Sequence, residues 1–172
     1  MTQELLVSLS LRHEEALELF LSEFDANPDQ LHGYFFDRNA PITDIVSTLR
    51  AWSAGKQLID GWVPNSTWFW EVGETLQGVI NVRHELTPWL AENAGHIGYS
   101  VATPYRHRGV ATAMLRAALG YCSTLGISQP MLICDSENIG SIRAIESNSG
   151  VLEREGWNDS RTQIQRWYRM DL

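Results

Sequence analysis

The chain has 172 residues, 44% of them hydrophobic and 20% charged, with a formal net charge of −8. That length supports one domain with a substantial core, and the composition excludes disorder. The acidic balance disfavours a general nucleic-acid role, and no apolar run is long enough to cross a bilayer. The start, MTQELLVSLSLRHEE, has neither a basic opening nor a signal-type cleavage site, which points to a cytoplasmic protein. Charge is unevenly placed. Residues 1–105 carry 14 acidic and 5 basic side chains, whereas residues 106–172 carry 7 and 8. An anionic ligand prefers the second part, and a cationic one tolerates the first.

Residues 5–9 alternate with period two and predict a strand. Residues 12–24 place Ala16, Leu17, Phe20, Leu21 and Phe24 at helix spacing. Residues 25–41 are rich in turn formers and carry no clear period. Residues 44–52 read as a second helix, with Asp44 as its N-cap. Residues 67–72 and 76–82 are aromatic and β-branched, and Gly73, Glu74 and Thr75 join them as a hairpin. A connection over residues 84–95 follows, with a helical turn after Pro88. His96 opens the next strand, and a helix follows Gly109. After a turn at residues 126–130 comes an apolar strand at 131–134. A helix at 138–148 is stopped by Ser149 and Gly150, and strands at 151–155 and 163–170 close the chain. Cys122 and Cys134 fall within this helix and strand pattern without metal-ligand spacing, so both read as reduced core residues. This order describes a mixed α/β domain.

The most informative segment is residues 96–125. A strand ends at Pro104, a basic loop follows, and an amphipathic helix begins at the spacing Arg106-x-x-Gly109-x-Ala111-Thr112. Helix N-termini present unpaired N–H groups and partial positive charge, so this junction suits a phosphate or pyrophosphate. Gly109 permits close backbone approach, Ala111 keeps the site open, and Arg106, His107 and Arg108 add donors. The loop lacks the Lys-Ser/Thr pair of a P-loop and the G-x-G-x-x-G of a dinucleotide fold. Read alone, it is equally a basic surface turn.

The run GHIGYSVATPYRHRGVATAML resembles the acetyl-CoA-binding core of the GNAT superfamily of N-acetyltransferases. In that family a strand ending in V-x-x-x-x-[QR]-x-x-G-x-[GA] holds coenzyme A, and Val101, Arg106, Gly109 and Ala111 stand at those positions. The strand at 131–135 and the helix start Asn138-x-x-Ser141 resemble its following βα unit. The wider run over residues 61–150 resembles a bacterial subgroup of predicted acetyltransferases. The resemblance implies an α/β fold of the α+β type: a mixed, mostly antiparallel central sheet of about seven strands flanked by about four helices. It also implies one domain over residues 1–172, with the acetyl-CoA-binding core at about residues 96–150.

The implied activity is transfer of acetyl from acetyl-CoA, as cosubstrate and without a metal, to a primary amine of a small-molecule or peptide acceptor. No nucleic-acid or membrane partner is implied; a homodimer is compatible. The amides of Arg106, His107, Arg108, Gly109, Val110, Ala111 and Thr112 would bind the pyrophosphate. Residues 99–101 would splay from the neighbouring strand and pair with the pantetheine arm through to Val101, and one freed N–H would stabilise the oxyanion. Asn138 and Ser141 would face the arm from the second βα unit.

Proton handling is less determined. His96 titrates in a useful range and opens the cofactor strand, but strand-end histidines also serve as structural hydrogen-bond partners. Glu85, after the hairpin, is the rival base or a solvated loop acid. Tyr99 supports either proton path or packs. Many relatives carry a tyrosine acid at the position of Ile145, and its absence leaves a second reading open: a non-catalytic acyl-CoA-binding sensor or scaffold. Trp62, Trp68, Phe69 and Trp70 wall an acceptor pocket or belong to the core. His32 and His84 show no metal-like spacing.

Overall fold

Strand residues at 65–83 are buried on both faces in near-continuous runs, the pattern of a sheet covered on two sides. The computed structural model describes residues 4–33 and 35–172; Tyr34 and the first three residues of the opening lie outside them. In chain order the elements are β1 (Glu4–Val7), α1 (Glu14–Ser22), α2 (Ile42–Ser53), β2 (Asn65–Val72), β3 (Thr75–Arg83) and α3 (Pro88–Asn93). Then follow β4 (Ile97–Val101), α4 (Val110–Thr124), β5 (Met131–Asp135), α5 (Ile139–Glu146), β6 (Val151–Asn158) and β7 (Gln163–Arg169). The seven strands form one sheet in the order β1-β2-β3-β4-β5-β7-β6, antiparallel except between β4 and β5.

One apolar layer joins this sheet to α4 and α5. Met114, Leu115, Ala118 and Cys122 of α4 and Ile142 and Ile145 of α5 meet Ile80, Ile97, Leu132 and Tyr168. The opposite layer carries Leu17, Phe20, Ile45, Val46 and Leu49 of α1 and α2 against Phe69, Leu76 and Val79. The fold is a mixed α/β sheet of seven strands, with five helices rather than about four among the described residues.

Asp44 is not a cap. The second helix begins two residues earlier, after Pro41 at φ −55° and ψ 142°, and buries Ile42 in its first turn. Asp44 sits inside that turn, where a carboxylate still suits the helix dipole. The first helix starts at Glu14 because residues Leu11–His13 form a tighter 3-10 turn. Phe69 and Trp70 are core, and Trp68 stacks on Tyr121 with ring centroids 4.6 Å apart. Both cysteines are free and buried, and burial pushes their thiols up to about 11 at Cys122 and about 12 at Cys134.

Candidate active site

The sheet opens where β4 meets β5. These strands share one register pair, Ile97 with Leu132, whereas β3 and β4 share five. The closed end of the gap is held by His96 and Met131. The His96 N–H donates to the Met131 carbonyl at 2.8 Å, and the Met131 N–H donates to His96 Nδ1 at 3.0 Å. The imidazole therefore takes a donor that a longer ladder would have used.

Alternation decides which β4 groups face the gap. The His96 carbonyl accepts from Arg83 N–H, and the Ala102 N–H donates to Gln77, so within β4 the even-numbered residues Gly98 and Ser100 turn their backbone groups to β3. Tyr99 and Val101 consequently turn their backbone groups toward the gap. Arg106 Nε donates to the Val101 carbonyl at 2.9 Å, consistent with that direction. The β4–β5 ladder stops at Ile97, so the gap-side backbone groups of Tyr99 and Val101 lie beyond it, where an extended ligand could pair.

Below the gap a cleft of about 660 Å³ runs between the start of α4 and the start of α5. Arg106, His107, Gly109, Val110, Ala111 and Thr112 line one end; Asn138 and Ser141 line the other. Tyr99 and Val101 lie between them. Gly109 caps α4 at φ +84°, a left-handed conformation that L side chains adopt at a cost, and nothing stands within 4 Å of where its Cβ would be. His107 is also left-handed, at φ +60°. No side chain caps α4; its first helical bond runs from the Ala113 N–H to the Gly109 carbonyl at 3.0 Å. The amides of Val110, Ala111 and Thr112 thus point into open space, as anion binding requires. Asn148 Nδ2 donates to the carbonyls of Thr112 and Ala144, tying α4 to α5 beside the cleft. Asn138 Oδ1 accepts the Ser141 N–H at 3.0 Å and so caps α5.

The candidate residues divide accordingly. Arg108 is exposed and does not line the cleft. Glu85 is exposed in the bend after β3, also outside it. His96 is buried and lies outside the cleft lining; burial, with Arg169 and Arg83 adding repulsion, lowers its pKa to about 4. An imidazole so placed is a neutral structural acceptor and a weak base. Tyr99 does line the cleft. Its hydroxyl is buried without a hydrogen-bond partner among the described residues, and burial raises its pKa to about 12, partly offset by the nearby Ser141 hydroxyl. Ile145 is buried in the core, not at the cleft.

The opposite face of β4 is covered by the segment that carries no sequence period. The Ser100 hydroxyl donates to the Gln30 carbonyl at 2.7 Å and accepts the His32 N–H at 2.6 Å. Gly33, at φ +81°, lies so close to β4 that a Cβ there would stand 2.6 Å from the Gly98 carbonyl oxygen. Trp62 packs on Phe35 and Trp52 behind this segment. His32, Gln30, Ser100 and Asp135 join the cleft lining from this side. The sequence sets His32 aside for lack of metal-like spacing and does not mark Gln30, Ser100 or Asp135; the signal it held was a His-Gly pair inside an otherwise unassigned turn.

Residues 7–149 match the family profile described as an acetyltransferase (GNAT) domain. The fold is similar to the microcin C7 self-immunity acetyltransferase MccE in complex with acetyl-CoA and AMP. That match has a TM-score of 0.69 and 14% identity, covering 99% of this chain and 93% of the other. It is similar to a Salmonella typhimurium acetyltransferase that modifies the N-terminal serine of a 50S ribosomal subunit protein: TM-score 0.69, 16% identity, 100% and 96% coverage. It is also similar to RimJ of Mycobacterium smegmatis in complex with CoA-disulfide: TM-score 0.69, 17% identity, 98% and 81% coverage. No curated protein matches the chain by sequence. Among the described residues no helix is long and apolar enough to cross a membrane, and no group of His, Cys, Asp or Glu is placed to hold a metal ion.

Proposed function

The chain belongs to the GNAT acetyltransferases and is an acetyl-CoA-dependent acyltransferase; from that premise we propose that it acetylates a primary amine by direct attack on the thioester. The observation that carries this reading is the single-pair contact between β4 and β5 above the uncapped start of α4. Acetyl-CoA supplies an activated acyl group. The chain supplies positioning and electrostatics. Amides 109–112 and the Arg106 guanidinium complement the pyrophosphate. The gap-side backbone groups of Tyr99 and Val101 complement the pantetheine amides. An N–H of this strand, fixed by pairing to β3, stabilises negative charge on the carbonyl oxygen without reorganising. Asn138 and Ser141 line the arm from α5.

The amine reaches the carbonyl from the side of Gln30, His32 and Asp135. Free amino groups of small molecules and of peptide N-termini both suit this approach. The Salmonella neighbour, which modifies an N-terminal serine, supports an amine acceptor as a class without choosing within it. The free edge of β6, with Val151, Leu152 and Trp157 exposed, is where a second copy would pair.

The experiment is thiol release from acetyl-CoA with a panel of amino-acid amides and short peptides, alongside calorimetry of CoA binding. Amine-dependent thiol release supports transfer. CoA binding without release by any amine supports the sensor or scaffold reading instead.

A further inference from the structure

We propose that His32 is the proton acceptor for the attacking amine, an assignment that rests on the acetyl-transfer reading above. His32 was passed over by spacing arguments, because its partners are distant in sequence. Three elements bring them to it. From β4, Ser100 fixes the loop backbone at Gln30 and at His32 itself. From β5, Asp135 lines the same cleft, held in place by the Gln163 and Gln165 side-chain amides. From the turn between β6 and β7, the charge of Arg161 disfavours protonation of His32.

The loop itself is pinned by Gly33 against Gly98, one residue before Tyr99. His32 therefore stands over the stretch of β4 whose gap-side backbone groups would hold the thioester. The His32 ring makes no hydrogen bond among the described residues, so a ring nitrogen is available to a ligand. Among imidazoles, only His32 and His107 line this cleft, and His107 belongs to the phosphate-binding loop. His96 is outside it, engaged with Met131.

The electrostatics agree with the geometry. His32 is exposed by area yet lines the cleft, where neighbouring groups remove part of its hydration. That desolvation is the largest influence, and it lowers the pKa below the ordinary 6.5; Arg161 adds to it, while Asp135 and Asp29 oppose it. Tyr99, on β4, remains neutral. The imidazole is accordingly in its basic form at neutral pH.

The step balances simply. The nitrogen lone pair forms the C–N bond and the carbonyl π pair moves to oxygen. The proton on that nitrogen, made acidic by bond formation, passes to His32. The oxyanion then collapses, the C–S bond breaks, and the sulfur leaves with its electron pair. Sulfur takes a proton from water and His32 returns its own to solvent.

The test uses the full chain with acetyl-CoA and whichever panel amine gives the fastest thiol release. His32→Gln is expected to keep CoA affinity within twofold and to lower kcat/KM for the amine by ~10²–10⁴-fold. The wild-type limb that rises with pH below 6.5 is expected to disappear in it, leaving only the limb of the amine itself. Arg161→Ala, at an exposed turn, is expected to move the same limb to higher pH, because a repelling charge is gone. A purely structural His32 would leave the limb in place. Retention of the wild-type profile in His32→Gln, or an unmoved limb in Arg161→Ala, overturns the assignment while acetyl transfer stands. Thiol release by no amine in the wild type overturns the transfer reading and this assignment with it.

Discussion

His96 and Met131 are joined twice across the closed end of the β4–β5 gap: backbone N–H to carbonyl at 2.8 Å, and backbone N–H to imidazole Nδ1 at 3.0 Å. The side chain thus ends the ladder that it borders, and the gap-side backbone groups of Tyr99 and Val101 begin just beyond.

The first prediction concerns that imidazole. Its folded-state pKa is about 4, against about 6.5 for an unperturbed histidine. The unfolded chain therefore binds its proton first as pH falls. Stability from this site is complete above pH 6.5 and is lost between pH 6.5 and 4, at up to ~1.4 kcal/mol per pH unit. His96→Asn retains an acceptor for Met131 and removes the titration, so its urea stability should fall less steeply over that window. An unchanged slope would show that His96 does not carry the effect.

Gly109 is the second case. Its φ of +84° is costly for an L residue, but open space surrounds the missing Cβ. Gly109→Ala should cost ~1–2 kcal/mol of stability. Gly109→Glu adds a negative charge beside the expected pyrophosphate and should weaken CoA at least tenfold, about 1.4 kcal/mol. Calorimetry showing unaltered affinity in folded Gly109→Glu would remove the pyrophosphate from this loop.

Gly33→Ala tests the loop that carries His32. A Cβ placed 2.6 Å from the Gly98 oxygen must displace the loop or the strand. Overpacking of this kind costs ~1–3 kcal/mol. Amine turnover should drop sharply and CoA affinity fall less, since the pyrophosphate end lies elsewhere. Turnover equal to wild type would mean that the loop has no part in the acceptor side.

Asn138→Ala separates capping from binding. The lost cap should cost ~1 kcal/mol in thermal or urea stability. Because Asn138 also lines the cleft, CoA affinity should fall as well. A stability loss with unaltered affinity and turnover would leave the residue as a cap alone.

Much of this arrangement is legible in the chain. The hairpin, the Gly109 helix start and the Asn138 cap follow from local rules, since turn chemistry, period and capping act within a few residues. Arg106, Gly109 and Ala111 declare themselves by spacing. The role of His96 does not, because its partner is 35 residues away and its desolvation is a property of the fold. His32 is hidden for the same reason: Ser100, Asp135 and Arg161 approach it from three other elements. Asp44 misleads because Pro41 sets the helix start before the acid is reached. The alternating tryptophans left pocket wall or core open, and an aromatic face on a doubly covered sheet is core, as Trp70 demonstrates.

The central claim is that acetyl-CoA lies in the cleft opened between β4 and β5. A crystal structure of the CoA complex tests it most directly. The expected result is pyrophosphate oxygens within hydrogen-bond distance of amides 109–112, with the pantetheine arm paired along Tyr99 and Val101. CoA bound elsewhere, with these backbone groups still facing solvent, would contradict the account.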